Sequence, residues 1–443
     1  MTDFARQGWT AEQGRTLSRP AGRSLYDFRS DGLVAGIFFR VLLLVAPIQS
    51  ILLTPVQGST PAYLLVLLCP LLLIANDQRY FQVLSFFAIF TTCYIAYLVL
   101  SLSSFAIDQP DMSRLTVIRD VRIFGYLRQT HVTQGVYLLA ALGFYFLVYK
   151  YWQESFLKYA YYGIMLLSVY GFYEFVFYAM FHINGDFLSN RNFGDLETAA
   201  AGAGENLSVT GSRLQTSNLF GAGYMRLKSL TAEPSMYALS VTPFAVYAYG
   251  RRWWLIFMLL AMSLALSTST TAVIGLGVGM AWIEARRRPE TVLYLGAAIF
   301  TLALLYATAD PVRTVLDTLA FGKLDTISGN ERLAYFWTHS AVPFDGNPVR
   351  ALFGLGFGTV RSGDMLSNLL ANVGLVGVIL YSALMLAPCF LLKDGDDSLA
   401  VVATLLATFS MVMLTVPEYG YLPPWFMLAL AYVRVQQQRA RSG

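Results

Sequence analysis

Apolar runs of about the length of a bilayer crossing recur from residue 32 to residue 435 of this 443-residue chain, and nothing else limits its fold as strongly. A spanning helix takes about 20 apolar residues. In hydrocarbon no water meets the backbone, so each run has to satisfy its own N–H and C=O groups, which a helix does. Hydrophobic residues make up 56% of the chain and charged residues 13%, against about 25% charged in soluble domains. The expected fold is an all-α, polytopic membrane protein. Its apolar segments are 32–53, 61–75, 81–106, 132–149, 160–181, 236–249, 291–309, 366–392, 398–416 and 421–435, plus the run from Trp253 to Ile283.

That run of 31 residues would make a helix of about 46 Å, against about 30 Å of hydrocarbon. Arg251-Arg252 precede it and Arg286-Arg287-Arg288 follow it. Both clusters belong in the cytoplasm by the positive-inside rule, so an even number of crossings lies between them. The expectation is two helices, 253–267 and 270–284, with Ser267-Thr268-Ser269-Thr270 at the outer tip. Twelve helices with both termini cytoplasmic follow. The short loops then placed outside, 54–60 and 417–420, carry no Lys or Arg. No cleavage signal opens the chain, and the first helix reads as a retained anchor.

The organisation expected is a cytoplasmic tail at 1–31, helices one to five over 32–181, a large outer loop at 182–235, and helices six to nine over 236–309. A second large outer loop at 310–365, helices ten to twelve over 366–435 and a short cytoplasmic tail at 436–443 complete it. A third outer segment, 107–131, reads as an interfacial stretch that pairs internally. The five Arg of the first tail fix orientation. Ala199 to Gly204 reads as a loop, and Lys393 to Asp397 as a solvated cytoplasmic turn. Cys69, Cys93 and Cys389 each fall in an apolar run, so no loop disulfide is available. His131, His182 and His339 lack metal-ligand spacing, and no metal or cofactor is expected.

The outer loops carry charged residues that spanning alone does not require. Arg226-Leu-Lys-Ser-Leu-Thr-Ala-Glu233-Pro234-Ser235 leads into the sixth helix, with Pro at its start. A helix N-terminus attracts phosphate, Arg226 and Lys228 add positive charge, and Arg grips phosphate bidentately. Glu233 supplies a carboxylate. Arg361-Ser-Gly-Asp364 repeats the arrangement before the tenth helix, where Asp364 reads equally as an N-cap. In the same loop Arg332, Tyr335 and His339 share one helical face, which also suits an amphipathic surface helix. Arg191 and Arg213 are further candidates for anionic groups. Glu174 and Arg40 lie inside helices, where an ionisable group costs about 3 kcal/mol. Glu174 reads as lining a cavity or as bonded to Tyr170 or Tyr178.

Two stretches resemble the Wzy-type O-antigen and exopolysaccharide polymerases and the related O-antigen ligases. One is Arg226 to Tyr237. The other runs from Ser328 through Arg332, Trp337 and Leu352-Phe-Gly-Leu-Gly-Phe-Gly358 to Asp364 and Gly377. The likeness covers about residues 160–380. It implies a metal-independent, GT-C-like glycosyltransferase of the bacterial inner membrane, acting at the periplasmic face in lipopolysaccharide or polysaccharide biosynthesis. Such an enzyme moves a growing glycan from undecaprenyl diphosphate onto a lipid-linked repeat unit. Its partners would be that lipid-linked oligosaccharide, membrane lipid and a chain-length regulator protein, with no nucleic acid. Carried over, Arg226, Arg332 and Arg361 would hold diphosphate, and Glu233, Asp364 or His339 would take the acceptor proton. The chain has Gly363-Asp364 where ligases place a His-Asn pair, and Glu233 where they tend to have a neutral residue. Both departures favour polymerase over ligase, and a transporter or flippase is the reading from another class.

Overall fold

The structure is a computed structural model, described for residues 33–56, 58–72, 79–118, 121–191, 216–219, 222–310, 312–313 and 327–442. Two compact units divide the chain, 1–38 and 39–443. Of the first, only the opening of one helix is among the described residues.

The helices are α1 (Leu33–Val45), α2 (Pro61–Leu72), α3 (Arg79–Ile107), α4 (Gln129–Lys150), α5 (Ser155–Phe181), α6 (Pro234–Gly250), α7 (Trp254–Ser267), α8 (Thr270–Arg287), α9 (Glu290–Thr308), α10 (Ile327–Ser340), α11 (Pro348–Phe353), α12 (Met365–Leu391), α13 (Asp396–Thr415) and α14 (Leu422–Ser442). The protein is mostly helical. Among the described residues, α4, α5, α9, α12, α13 and most of α3 are long and apolar enough to cross a membrane. A helix also lies in every other apolar segment, but α1 stops at Val45 rather than continuing to residue 53. Pro47 explains the stop, since the residue before proline is pushed out of the α region.

Two short hairpins depart from the all-helical expectation. Strands β1 (Arg122–Phe124) and β2 (Leu127–Arg128) pair, and so do β3 (Thr216–Leu219) and β4 (Ala222–Met225).

Small residues set the packing at the centre. Nearly every residue of α6 is buried, and α8 and α13 lie against it. A Cβ at Gly275 would come within 2.3 Å of Met411 Sδ, and one at Gly279 within 2.6 Å of Val246 Cγ1. This small-xxx-small spacing lets helices approach closely without a water-driven force. The opposite extreme is α9, none of whose described side chains is buried. Leu293 and Phe300 are 75% and 70% exposed, an arrangement that suits a lipid surrounding.

The run from Trp253 to Ile283 breaks at Thr268, whose φ of 46° ends α7. A second break lies inside α12 at Gly374 (φ 61°, ψ −166°). It leaves carbonyls of the first half unpaired within the helix, and the glycine-rich loop after α11 takes them up. Leu355 N–H donates to Ala371 O and Gly356 N–H to Asn372 O, both at 2.9 Å. The Asn372 side chain accepts from Thr359 and Val360 N–H, each at 2.9 Å. Gly354 and Gly374 both have positive φ, and a Cβ on Gly354 would sit 2.4 Å from the Asn372 carbonyl carbon. Only glycine fits there.

At the far ends of α6, α13 and α14, Asp397 is not merely solvated. It accepts from Tyr247 Oη at 2.6 Å and pairs with Arg434 Nε at 2.8 Å and Arg251 Nη1 at 3.3 Å. Glu154 completes this cluster, 2.7 Å from Arg434 Nη1.

Candidate functional site

The starts of α6 and α12 converge on one cavity of about 550 Å³. Its walls come from the chain after α1, the starts of α2, α4, α6 and α12, the segments around Ile118, Arg191 and Phe357–Arg361, and the connector 417–421.

Glu233 is placed by an unusual loop. Ser229 and Ala232 have positive φ of 52° and 77°, conformations that are costly outside glycine and persist only when their surroundings hold them. Here Ser229 Oγ donates to Leu167 O at 2.6 Å, Thr231 Oγ1 to Lys228 O at 2.6 Å, and the N–H groups of Gln49 and Ser50 donate to Leu230 O. Glu233 comes next, in extended conformation, as the N-cap of α6, yet its side chain makes no capping bond. A long 3.4 Å contact from Ser235 Oγ is its hydrogen bond. The carboxylate therefore lines the cavity largely uncommitted.

Asp364 has the opposite fate. Its Oδ1 accepts from Ser367 N–H at 2.8 Å and its Oδ2 from Ser367 Oγ at 2.6 Å. It is buried, caps α12, and does not line the cavity.

Arg361 reaches the cavity because Val117 and Val360 bridge and its N–H donates to Thr116 O at 2.9 Å. No described residue hydrogen-bonds its guanidinium. Arg191 lines the same cavity. Its N–H donates to Ser50 O at 3.0 Å, and its Nη1 to Gln49 O at 3.1 Å. The Tyr421 hydroxyl, which donates to Thr231 O at 2.7 Å, lies within the electrostatic reach of Glu418, Arg191, Glu233 and Arg361. These four charges thus surround one space.

Arg226 stands next to this group. Its Nε donates to Thr268 Oγ1 at 3.0 Å and Ser267 O at 3.3 Å, tying the α7–α8 tip to the loop. Burial lowers its pKa, Tyr224 and Glu233 oppose the shift, and the positive charge of Arg332 adds to it. Arg332 is exposed and packs its Cγ over Gly363.

The other candidates sit elsewhere. Lys228 is fully buried, with Nζ 2.8 Å from Asp186 Oδ2 and 3.8 Å from Glu174 Oε2. Glu174 is therefore Lys228's partner rather than a cavity wall, and Tyr170 donates to Asp186 instead at 3.4 Å. His339 is buried, stacks on Tyr335 with ring centroids 5.8 Å apart, and accepts Thr116 N–H at 3.3 Å on Nε2. Burial holds its pKa down to about 4. Neither His339 nor Tyr335 lines the cavity. Arg40 lies over the Tyr159 ring at 5.4 Å. Arg213, Ala199 to Gly204 and the five Arg of the first tail lie outside the described residues. Among the described residues, no cluster of three or more His, Cys, Asp or Glu could hold a metal ion.

Sequence reasoning passed over Glu418, Asn368, Asn372 and the tyrosines Tyr63, Tyr137, Tyr419 and Tyr421, all on the cavity wall. A signal existed. Glu418 is the lone charge of the short connector 417–421, and Asn368 and Asn372 lie one turn apart at the start of an apolar helix. Together the wall offers an uncommitted carboxylate, two guanidinium groups, side-chain amides and aromatic rings. That set can deprotonate a hydroxyl, hold an anion and receive a polar ring. No protein-family model matches this chain, and no curated protein matches it.

Proposed function

We propose that the chain is a GT-C-like glycosyltransferase of the bacterial inner membrane, a Wzy-type polysaccharide polymerase with twelve spanning helices and the cavity at the periplasmic side. It moves a growing glycan from undecaprenyl diphosphate onto a lipid-linked repeat unit. The observation that carries this reading is the uncapped Glu233 carboxylate sharing a cavity with Arg361 and Arg191. In the step proposed, Glu233 takes the proton of an acceptor hydroxyl and that oxygen bonds to the anomeric carbon of the donor. The bond from anomeric carbon to phosphate oxygen breaks, and undecaprenyl diphosphate leaves with the electron pair. Arg361 and Arg191 hold the charge that develops on it, the kind of preorganised stabilisation that dominates many transfers. Arg226 and Arg332 add positive field from outside the wall.

One observation favours a transporter instead, the broken helix α12, since broken helices form transporter sites. However, the Ala371 and Asn372 carbonyls at its break accept the N–H groups of Leu355 and Gly356, so the break serves to join the helix to that loop. The glycans of a deletion strain complemented with wild type, Glu233→Gln or Arg361→Ala test the proposal. Wild type restores long polymer and both variants leave single repeat units. Full-length polymer stranded on its carrier in the deletion strain would mean a ligase. Unpolymerised units held on the inner leaflet would mean a flippase.

A further inference from the structure

The charges of the cavity fall into two groups, and the proposed transfer uses one of them. Glu233 and Arg361 stand at the starts of α6 and α12. Glu418 stands with the tyrosines of α2, α4 and the 417–421 connector. Tyr421 lies within reach of both groups. The second group is built with care. Tyr63 donates its hydroxyl to Gly420 O, and Tyr419 donates to the Gln134 side chain. Gly420 N–H donates to Glu418 Oε1 at 2.8 Å. Glu418 Oε2 is left with no hydrogen bond from any described residue. The Tyr137 hydroxyl is also unengaged by any described residue. Its ring packs against Tyr63, with centroids 5.7 Å apart, and against Gly58. Gly58 has a φ of 88°, and a Cβ there would lie 2.1 Å from Tyr137 Cε1. Gly58 thus closes one side of the ring.

We infer that Glu418 and Tyr137 form a saccharide subsite of this cavity, with Glu418 Oε2 accepting from a sugar hydroxyl and Tyr137 Oη donating to another. The inference rests on the transferase reading and extends it. A sugar ring presents hydroxyls that donate and accept side by side, together with apolar C–H faces. The wall matches both features with one free acceptor, one free donor and the Tyr63, Tyr137 and Tyr419 rings. Both sides hold a carboxylate, and Arg191 lies within electrostatic reach of Tyr63 and Tyr137 as well, but only the Arg361 side adds a guanidinium that no described residue hydrogen-bonds, and only the Glu418 side sets a free acceptor and a free donor beside packed aromatic rings. The subsite therefore takes sugar, and the Arg361 side takes phosphate.

The test uses single repeat units extracted from a strain deleted for this chain. Their oligosaccharide is released from the lipid by mild acid, and its binding to the purified protein in lipid nanodiscs is measured by titration calorimetry. Wild type binds it, while Glu418→Gln and Tyr137→Phe each weaken binding by about tenfold or more, as expected for loss of a charge-assisted or buried hydrogen bond. Glu418→Gln keeps an oxygen for Gly420 N–H, so its thermal unfolding stays at the wild-type value, and Tyr137→Phe keeps the packed ring. If both variants bind as wild type does, or wild type binds no oligosaccharide, the subsite is overturned, and loss of transfer in Glu233→Gln still supports the transferase. If the deletion strain accumulates no single units, the transferase reading falls and takes the subsite with it.

Discussion

Replacing Lys228 by Met strips the positive charge from a fully buried site that holds two carboxylates. Its Nζ lies 2.8 Å from Asp186 Oδ2 and 3.8 Å from Glu174 Oε2. At an effective dielectric constant of about 20 those contacts are worth roughly 6 and 4 kcal/mol. Desolvation of the ammonium offsets much of this, and breaking a buried ion pair on one side costs about 3–5 kcal/mol. The low end applies here, because Asp186 keeps the N–H groups of Ser189 and Leu188 and the hydroxyl of Tyr170. About 3 kcal/mol is expected, roughly a hundredfold in the ratio of folded to unfolded protein. Thermal unfolding in detergent, followed by tryptophan fluorescence, reads it. Glu174→Gln and Asp186→Asn added to Lys228→Met recover part of the loss, since a neutral set leaves no stranded charge. If Lys228→Met melts with the wild type and only substrate binding weakens, then Lys228 belongs to the substrate site and the buried triad does not hold the loop.

Three further outcomes rest on the same geometry. Glu233→Gln leaves thermal stability unchanged, because Glu233 caps nothing, and reduces transfer by about a hundredfold or more. Asp364→Ala instead costs about 1 kcal/mol of stability, while Asp364→Asn regains most of it; melting and single-turnover transfer measured side by side separate the two carboxylates. His339 is buried neutral with its pKa at about 4, against an ordinary value of about 6.5. The unfolded chain then takes up the proton first, so the stability due to neutral His339 is complete above about pH 6.5 and drains away as pH falls toward 4. Melting temperature against pH falls more steeply over that window for wild type than for His339→Phe. Gly354→Ala meets the Asn372 carbonyl carbon at 2.4 Å, whereas Gly277→Ala meets nothing within 4 Å. The first loses about 3 kcal/mol or more and the second stays within about 0.5 kcal/mol, as folded yield and melting show.

Hydropathy made the helices legible because period and length are local properties of the chain. The turn at Thr268 was legible for the same reason, from two Arg clusters that had to stay on one side. Pairings between distant segments were not. Nothing near Lys228 in sequence announces that Asp186 and Glu174 will neutralise it, so a buried structural lysine read as a substrate contact. Glu233 and Asp364 looked alike, each a carboxylate directly before a helix. The difference lies in the first turn of each helix. Ser367 stands at the third helical position after Asp364 and offers both its N–H and its hydroxyl. Pro234 succeeds Glu233, and Ser235 gives it only a 3.4 Å contact. The convergence of both helix starts on one cavity depended on packing that no local pattern encodes.

The bonds of Arg226 decide how the basic residues around the cavity divide their work. Its guanidinium is engaged with the α7–α8 tip through Ser267 O and Thr268 Oγ1, and a phosphate would have to displace those bonds to win it. Arg361 gives up nothing, since no described residue hydrogen-bonds its guanidinium. In the proposed transfer the leaving diphosphate is therefore gripped by Arg361, with Arg191 on the wall of the same cavity, while Arg226 acts through its field. A charge held rigidly in a partly desolvated place exerts that field without reorganising during the reaction. It also lies within electrostatic reach of Glu233. The same residue fixes the α7–α8 tip to the loop before α6. On this account Arg226 is a positioning residue and Arg361 is the one that touches phosphate.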